Sequence, residues 1–196
     1  MRVRVQANVR TMAEPDVEGC LDLFEAVASE GPWLATEAPI DRRTVAEGWR
    51  ALLSTGEGTV LLADEDGVPV GLAAMAGRRA PEMGMLVRAD RRRQGVGQLL
   101  VAACVEWARS RGSAEVVLHV FPHNPAALAL YRKNGFEERA FVPHAYRRRN
   151  GEKWDAIRMS RPLAPPPGAL ADRGDFARTS RADLLPPPRE RRRRPA

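Results

Sequence analysis

Apolar positions along the chain change their spacing from one stretch to the next, and each change marks an element. Val3 to Val9 alternates in the manner of a strand. Val17, Leu21, Phe24 and Ala28 recur at helical spacing, and Pro15 suits the first turn of a helix running to about Ser29. Asp41 can cap a second helix to about Ser54. Thr59–Asp64 and Val70–Ala76 read as strands joined by an Asp66-Gly67 turn, and Glu82–Val87 as a further strand. The clearest helix follows: Val96, Leu99, Leu100, Ala103, Cys104, Trp107 and Ala108 return every three or four residues until Gly112. A strand over Glu115–Phe121 completes a strand–helix–strand unit, which implies a parallel pair. Asn124-Pro125 opens a short helix that Gly135 closes. Phe136–Tyr146 and Lys153–Ser160 can pair as a hairpin across Asn150-Gly151.

The order of these elements is mixed, without the regular alternation of a doubly wound fold. It predicts an α/β domain on a mostly antiparallel sheet of about seven strands, with about four helices. The pattern breaks at Pro162. Beyond it come Pro165-Pro166-Pro167, Pro186-Pro187-Pro188 and Arg191 to Arg194, with little patterned apolar content. Such composition cannot bury enough surface to offset chain ordering. The expected organisation is therefore one domain over 1–162 and a disordered Pro/Arg-rich tail over 163–196.

Charge sharpens this division. The chain carries a net +6. The tail supplies +4 of it, from eight arginines against Asp172, Asp175, Asp183 and Glu190. The high pI is thus largely a tail property and gives little ground for a nucleic-acid-binding domain. Apolar residues make up 44%, ordinary for a globular protein, yet no run approaches the roughly 20 residues that span a bilayer. With no apolar stretch of signal-peptide length at the N-terminus, a cytoplasmic location is expected. Cys20 and Cys104 sit among apolar residues and read as buried, reduced thiols. His119, His123 and His144 form no metal-ligand spacing, so no metal is expected. His119 reads as a core or rim residue of its strand, and Arg147-Arg148-Arg149 as a solvated hairpin end.

Chemistry concentrates where Glu82–Val87 passes into the clearest helix, through Arg91-Arg92-Arg93-Gln94-Gly95-Val96-Gly97-Gln98. The first N–H groups of a helix lack intrahelical partners and carry partial positive charge. Gly95 and Gly97 admit an anion close to the backbone, and the arginines add formal charge. A dinucleotide fingerprint would need a small residue where Leu100 stands, and a P-loop would need Gly-Lys-Ser/Thr where Gly97-Gln98-Leu99 stands. The segment alone leaves open a solvated charge run at a helix start.

A second segment lies one strand later: Asn124, Ala127, Leu130, Tyr131, Gly135 and Phe136. With Arg92, Gly95 and Gly97, it resembles the GNAT superfamily of acyl-CoA-dependent N-acetyltransferases, whose signature is Gln/Arg-x-x-Gly-x-Gly/Ala and whose fourth helix reads Asn-x-x-Ala-x-x-Leu-Tyr-x-x-x-Gly-Phe. The resemblance spans about Val9 to Leu163. More loosely, Glu30-Gly31 and Asn150 to Asp155 resemble the phosphinothricin and amino-acid N-acetyltransferase branch.

The resemblance implies the GNAT fold, with acetyl-CoA as co-substrate in a cleft between the fourth and fifth strands. Met85, Leu86 and Val87 would bind the pantetheine arm through the backbone. Arg92, Arg93, Gln94, Gly95, Val96, Gly97 and Gln98 would hold the pyrophosphate, and Asn124 would contact the pantetheine region. A neutral primary amine would attack the thioester directly in a ternary complex, with the Leu86 N–H as oxyanion donor, Tyr131 as general acid and Glu82 as general base. The family's acceptor pocket follows the first helix, which sets Glu30 and Trp33 against a small-molecule amine. The same chemistry serves a protein N-terminus or lysine. A silent acyl-CoA-binding module and a nucleic-acid-binding protein acting through the tail are the other readings. A homodimer is one assembly the resemblance allows.

Overall fold

A computed structural model describes residues 7–163. The Pro/Arg-rich tail and the strand expected over Val3–Gln6 lie outside these residues. β1 (Asn8–Thr11) is followed by a 3-10 turn at Glu14–Asp16, α1 (Val17–Ser29), α2 (Arg42–Thr55), β2 (Gly58–Glu65), β3 (Val68–Ala76) and β4 (Glu82–Val87). Then come α3 (Val96–Ser110), β5 (Glu115–Val120), α4 (Pro125–Lys133), β6 (Glu137–Arg147) and β7 (Lys153–Pro162). β1 therefore runs on to Thr11, two residues past the expected Val9. Leu163, expected in the tail, is buried and donates its N–H to Ala114 O at 2.8 Å, so the packed chain reaches at least that residue.

Local chemistry explains the punctuation. Asp41 accepts a hydrogen bond from the Thr44 N–H at 3.1 Å and so caps α2. Asn124 does the same for α4 through the Ala127 N–H at 3.1 Å, with Pro125 in the first turn. Asp66 and Gly67 both take positive φ, as a tight hairpin turn between β2 and β3 requires.

The sheet has seven strands in the order β1-β2-β3-β4-β5-β7-β6. Every neighbouring pair is antiparallel except β4–β5. Its two faces bury separate clusters. One gathers Val96, Leu100, Cys104, Leu128 and Tyr131 of α3 and α4 over the sheet, and the other gathers Cys20, Phe24, Val45 and Trp49 of α1 and α2. Strand alternation decides which side chain meets which layer. On β4, Met83, Met85 and Val87 face α3 and α4, while Leu86 belongs to the α1 and α2 cluster.

The parallel junction is the weak seam. β4 and β5 register at one pair, Glu82 with Val117, and then part. Beyond Glu82, β4 keeps β3 on one edge and presents the other edge to a cleft.

Candidate active site

The cleft between β4 and β5 holds about 600 Å³. Its walls include Met85, Leu86 and Val87 from β4, Gly95, Gly97 and Gln98 from the start of α3, and Asn124, Leu130 and Tyr131 around α4. Two segments far apart in sequence thus meet at one opening, as their motifs predict.

The end of the cleft at the start of α3 is built from backbone. Gly95 precedes α3 with φ +96°, and Arg93 also takes positive φ. Among the described residues, the N–H groups of Arg93 through Gln98 find no protein acceptor, and the first bond of the new helix is Leu99 N–H to Gly95 O at 3.1 Å. Free amides at a helix start favour negative charge. Gly97 has a different reason to be small: a Cβ there would lie 3.0 Å from Leu130 Cδ2 and 3.3 Å from Met85 Cε, so it lets α3 settle against α4 and β4.

Of the three arginines in this turn, two are already engaged. Arg91 pairs with Glu65 and Asp90. Arg92 clamps Glu30 with two hydrogen bonds of 2.6 Å and reaches Val87 O through Nε at 3.0 Å. Arg93 and Lys133 line the cleft with no acidic partner among the described residues. Lys133 was not singled out from the sequence, although its place in the last turn of α4, within the second motif, was a usable signal. The side chain of Gln94 turns to Asp90 O at 2.7 Å, and Val96 is buried in the core, so either could meet an anion only through its backbone. The Gln98 side chain is tied to Asn134.

Glu30 and Trp33 sit apart from their expected roles to different degrees. Trp33 lines the cleft. Glu30 does not: its carboxylate is held by Arg92 and by Trp33 Nε1 at 2.7 Å. The Arg92 hydrogen bonds keep its carboxyl below the usual carboxylate range. Glu30 therefore fixes the positions of Arg92 and Trp33.

The Leu86 amide requires a correction. Arg88 N–H donates to Val70 O at 2.9 Å in the β3–β4 ladder. Amides alternate along an antiparallel pair, so those of Leu86 and Gly84 also point into β3. Those of Met85 and Val87 point to the cleft, consistent with the Val87 carbonyl accepting from Arg92 there. The Leu86 N–H is consumed by the sheet, and the Met85 N–H takes its place as the available donor.

Two titratable features flank the opening from opposite faces. Tyr131, on the α3 and α4 side, is buried, stacks at a tilt on Phe136, and lines the cleft with its hydroxyl unbonded among the described residues. Burial pushes its phenol well above its ordinary range, which keeps the proton on the oxygen. On the other side, Glu82 Oε1 lies 2.8 Å from His119 Nδ1. Both line the cleft. Sequence reading placed His119 in the core or rim, but the pairing of Glu82 with Val117 sets its ring beside Glu82. Gly84, the next residue of β4 on that face, leaves open space where a Cβ would stand.

The cleft is also walled by Trp33, Leu34, Phe121 and Tyr146. A register shift of β6 between Val142 and Tyr146, with His144 at φ +54°, re-aims the strand there. The expected solvated end at Arg147-Arg148-Arg149 is overturned at Arg148, which is only 5% exposed. Its guanidinium donates to Gly31 O, Leu34 O and Ala35 O at 2.8–3.0 Å and stacks 4.0 Å from the Trp154 ring. Arg149 adds Ala38 O and Pro39 O at 2.7 and 2.9 Å. The hairpin turn thereby straps the loop between α1 and α2. Arg148→Ala should lower stability by about 2–3 kcal/mol, since it strands buried carbonyls and removes a stacked cation. Urea denaturation checks this, and a loss below about 0.5 kcal/mol, the ordinary surface range, would show that the strap carries no weight.

The sheet is thus a seven-stranded mixed one that opens between its two parallel strands, with a helix start of free amides at one end of the opening. Residues 21–136 match the model of the acetyltransferase (GNAT) family, and the chain belongs to that family. An L-methionine sulfoximine/L-methionine sulfone acetyltransferase of Pseudomonas paraeruginosa is 25% identical, over 71% of this chain and 85% of the relative. A [ribosomal protein bS18]-alanine N-acetyltransferase of Escherichia coli is 36% identical over 38% of this chain and 50% of its own. Among solved structures, a phosphinothricin acetyltransferase from Sinorhizobium meliloti in complex with AcCoA superposes with a TM-score of 0.73 at 21% identity, over 86% of this chain and 98% of that one. A ribosomal-protein-alanine N-acetyltransferase from Brucella melitensis gives 0.73 at 24%, over 80% and 99%. These two likenesses concern the fold.

Proposed function

We propose that the protein is an acetyl-CoA-dependent N-acetyltransferase acting on a small primary amine by direct attack in a ternary complex. The observation that carries this reading is the split between β4 and β5, which has free amides at one end and proton-handling groups on both faces. The residues suit the co-substrate. The unbonded amides of Arg93 to Gln98, with Arg93 and Lys133, are matched to phosphates, and the cleft edge of Met85 and Val87 to the amide groups of a pantetheine arm. Asn124 spends its side-chain oxygen on its own helix and leaves its amide nitrogen for the cleft.

Acetyl-CoA supplies the thioester whose acyl group is transferred. This chain's residues do the rest. The Glu82–His119 pair takes the proton from the amine as it attacks, with His119 held in orientation by the carboxylate. The Met85 N–H faces the position where the carbonyl oxygen gains charge. Tyr131 holds a proton for the departing sulfur from the opposite face. Leu86, deprived of its amide role, packs the wall, and Glu30 acts by positioning Arg92 and Trp33. The strap that joins the loop after α1 to the β6–β7 turn bounds the acceptor side, which supports a small acceptor over a polypeptide.

Thiol release from acetyl-CoA against an amine panel tests the reading; silence across small amines and peptides alike would sink it. Glu82→Gln and His119→Ala should each lower kcat by about 10²-fold, the lower range for general-base catalysis. Acetyl-CoA affinity, read by calorimetry, should hold. A His119 variant with unaltered turnover would return the base role to Glu82 alone.

A further inference from the structure

The cleft has a compartment on the α1 and α2 side of the sheet whose walls are carbon and whose charges are already paired. Side chains alternate along β4, so Glu82, Gly84 and Leu86 face this layer while Met83 and Met85 face α3 and α4. Between Glu82 and Leu86 the floor is Gly84, where a Cβ would meet nothing within 4 Å. Val27, Leu34 and Leu86 belong to the apolar cluster of this layer, and with Trp33, Phe121 and Tyr146 they line the cleft. Phe121 is braced edge-on by Tyr146 at 5.4 Å and by Trp154 at 5.2 Å, which fixes the aromatic wall.

The charged side chains offer this space no free cation among the described residues. Glu82 and His119 hold each other. Arg92 gives two hydrogen bonds to Glu30 and one to Val87 O, and Trp33 Nε1 is also taken by Glu30. Arg148 and Arg149 turn to backbone carbonyls of the loop after α1. Arg93 and Lys133 lack an acidic partner, but they stand at the start of α3 and in the last turn of α4, against the other layer. A carboxylate on the carbon that bears the attacking amine would lie beside the Glu82 carboxylate with no cation to offset it. Like charges in a partly dry site repel strongly, whereas an apolar body gains by leaving water there.

We infer that the acceptor is a primary amine on an uncharged apolar body, an aralkylamine or a longer alkylamine, with its amine at Glu82–His119 and its body over Gly84 against the aromatic wall. Amino acids are disfavoured by their own carboxylate. This rests on the acetyltransferase reading and narrows its acceptor.

The test uses phenethylamine, L-phenylalaninamide, L-phenylalanine and ethylamine, with the full chain and acetyl-CoA. The first two should each exceed L-phenylalanine in kcat/KM at least tenfold, which isolates charge from size. Phenethylamine should exceed ethylamine by a similar factor. Gly84→Leu, whose side chain would occupy the same space, should raise KM for phenethylamine at least ten times more than for ethylamine, with the Kd for acetyl-CoA within about twofold. Gly84→Ala should give the same order in smaller measure, which keeps the test open where the longer side chain upsets the fold. A preference for L-phenylalanine, or equal losses for the large and the small amine in both variants, would overturn the inference. Calorimetric binding of the four compounds to the protein–CoA complex should give the same ranking without turnover. That ranking with no thiol release from any compound keeps the apolar compartment and removes the acetyltransferase reading, while no binding of phenethylamine overturns the compartment itself.

Discussion

Tyr131→Phe should lower kcat by about 10²-fold or more while leaving the Kd for acetyl-CoA within about twofold, because general-acid catalysis typically contributes that much and the ring keeps its packing. The argument rests on three facts. The ring is buried against Phe136, its hydroxyl lines the cleft without a partner among the described residues, and burial raises its pKa. A raised pKa favours the protonated phenol, so Tyr131 is competent throughout the neutral range and imposes no alkaline fall in rate below about pH 10. A packed tyrosine without a chemical role would give a stability change and an intact kcat. Stopped-flow or steady-state thiol release against a melting curve separates the two, and an unchanged kcat removes Tyr131 as the acid.

Gly95→Val should raise the Kd for acetyl-CoA at least tenfold, about 1.4 kcal/mol, with the sheet intact. Gly95 sits at φ +96°, where a β-branched residue is strained, and the residue directly precedes α3. Relief of that strain must rotate the peptide groups whose N–H vectors form the anion end. The charge of Arg93 and Lys133 would survive the substitution, so the experiment separates backbone geometry from net charge. Calorimetry with acetyl-CoA, alongside far-UV circular dichroism, reads both; an unchanged Kd would detach the phosphates from this turn.

The sequence carried the elements well where local chemistry was strong. The seven-residue apolar stripe from Val96 to Ala108 and the Asn124-Pro125 cap each appear where expected, and Glu82–Val87 matches residue for residue. That Gly95, Gly97 and Tyr131 come together at one cleft was legible too, since glycines at a helix start and a capped helix act through local backbone. What failed depended on long-range register. Which β4 amides face the cleft follows from the pairing of Arg88 with Val70, and one residue of slip would exchange Leu86 for Met85. Arg148 stands between two other arginines, and its acceptors lie more than 110 residues away, so nothing local distinguished it. His119 acquired its partner from a single parallel pair between β4 and β5.

That single pair has a further bearing. Because β4 and β5 part beyond it, the sheet there is a partition with a slot through it. On the proposed reading, the phosphate-bearing donor is seated from the layer of α3 and α4, and the amine arrives from the layer of Glu82 and His119. Neither ligand has to pass the other to reach the seam, and each product can leave by the side its precursor entered. On that reading, the least complete strand pairing among the described residues gives two reactants separate doors to one bond.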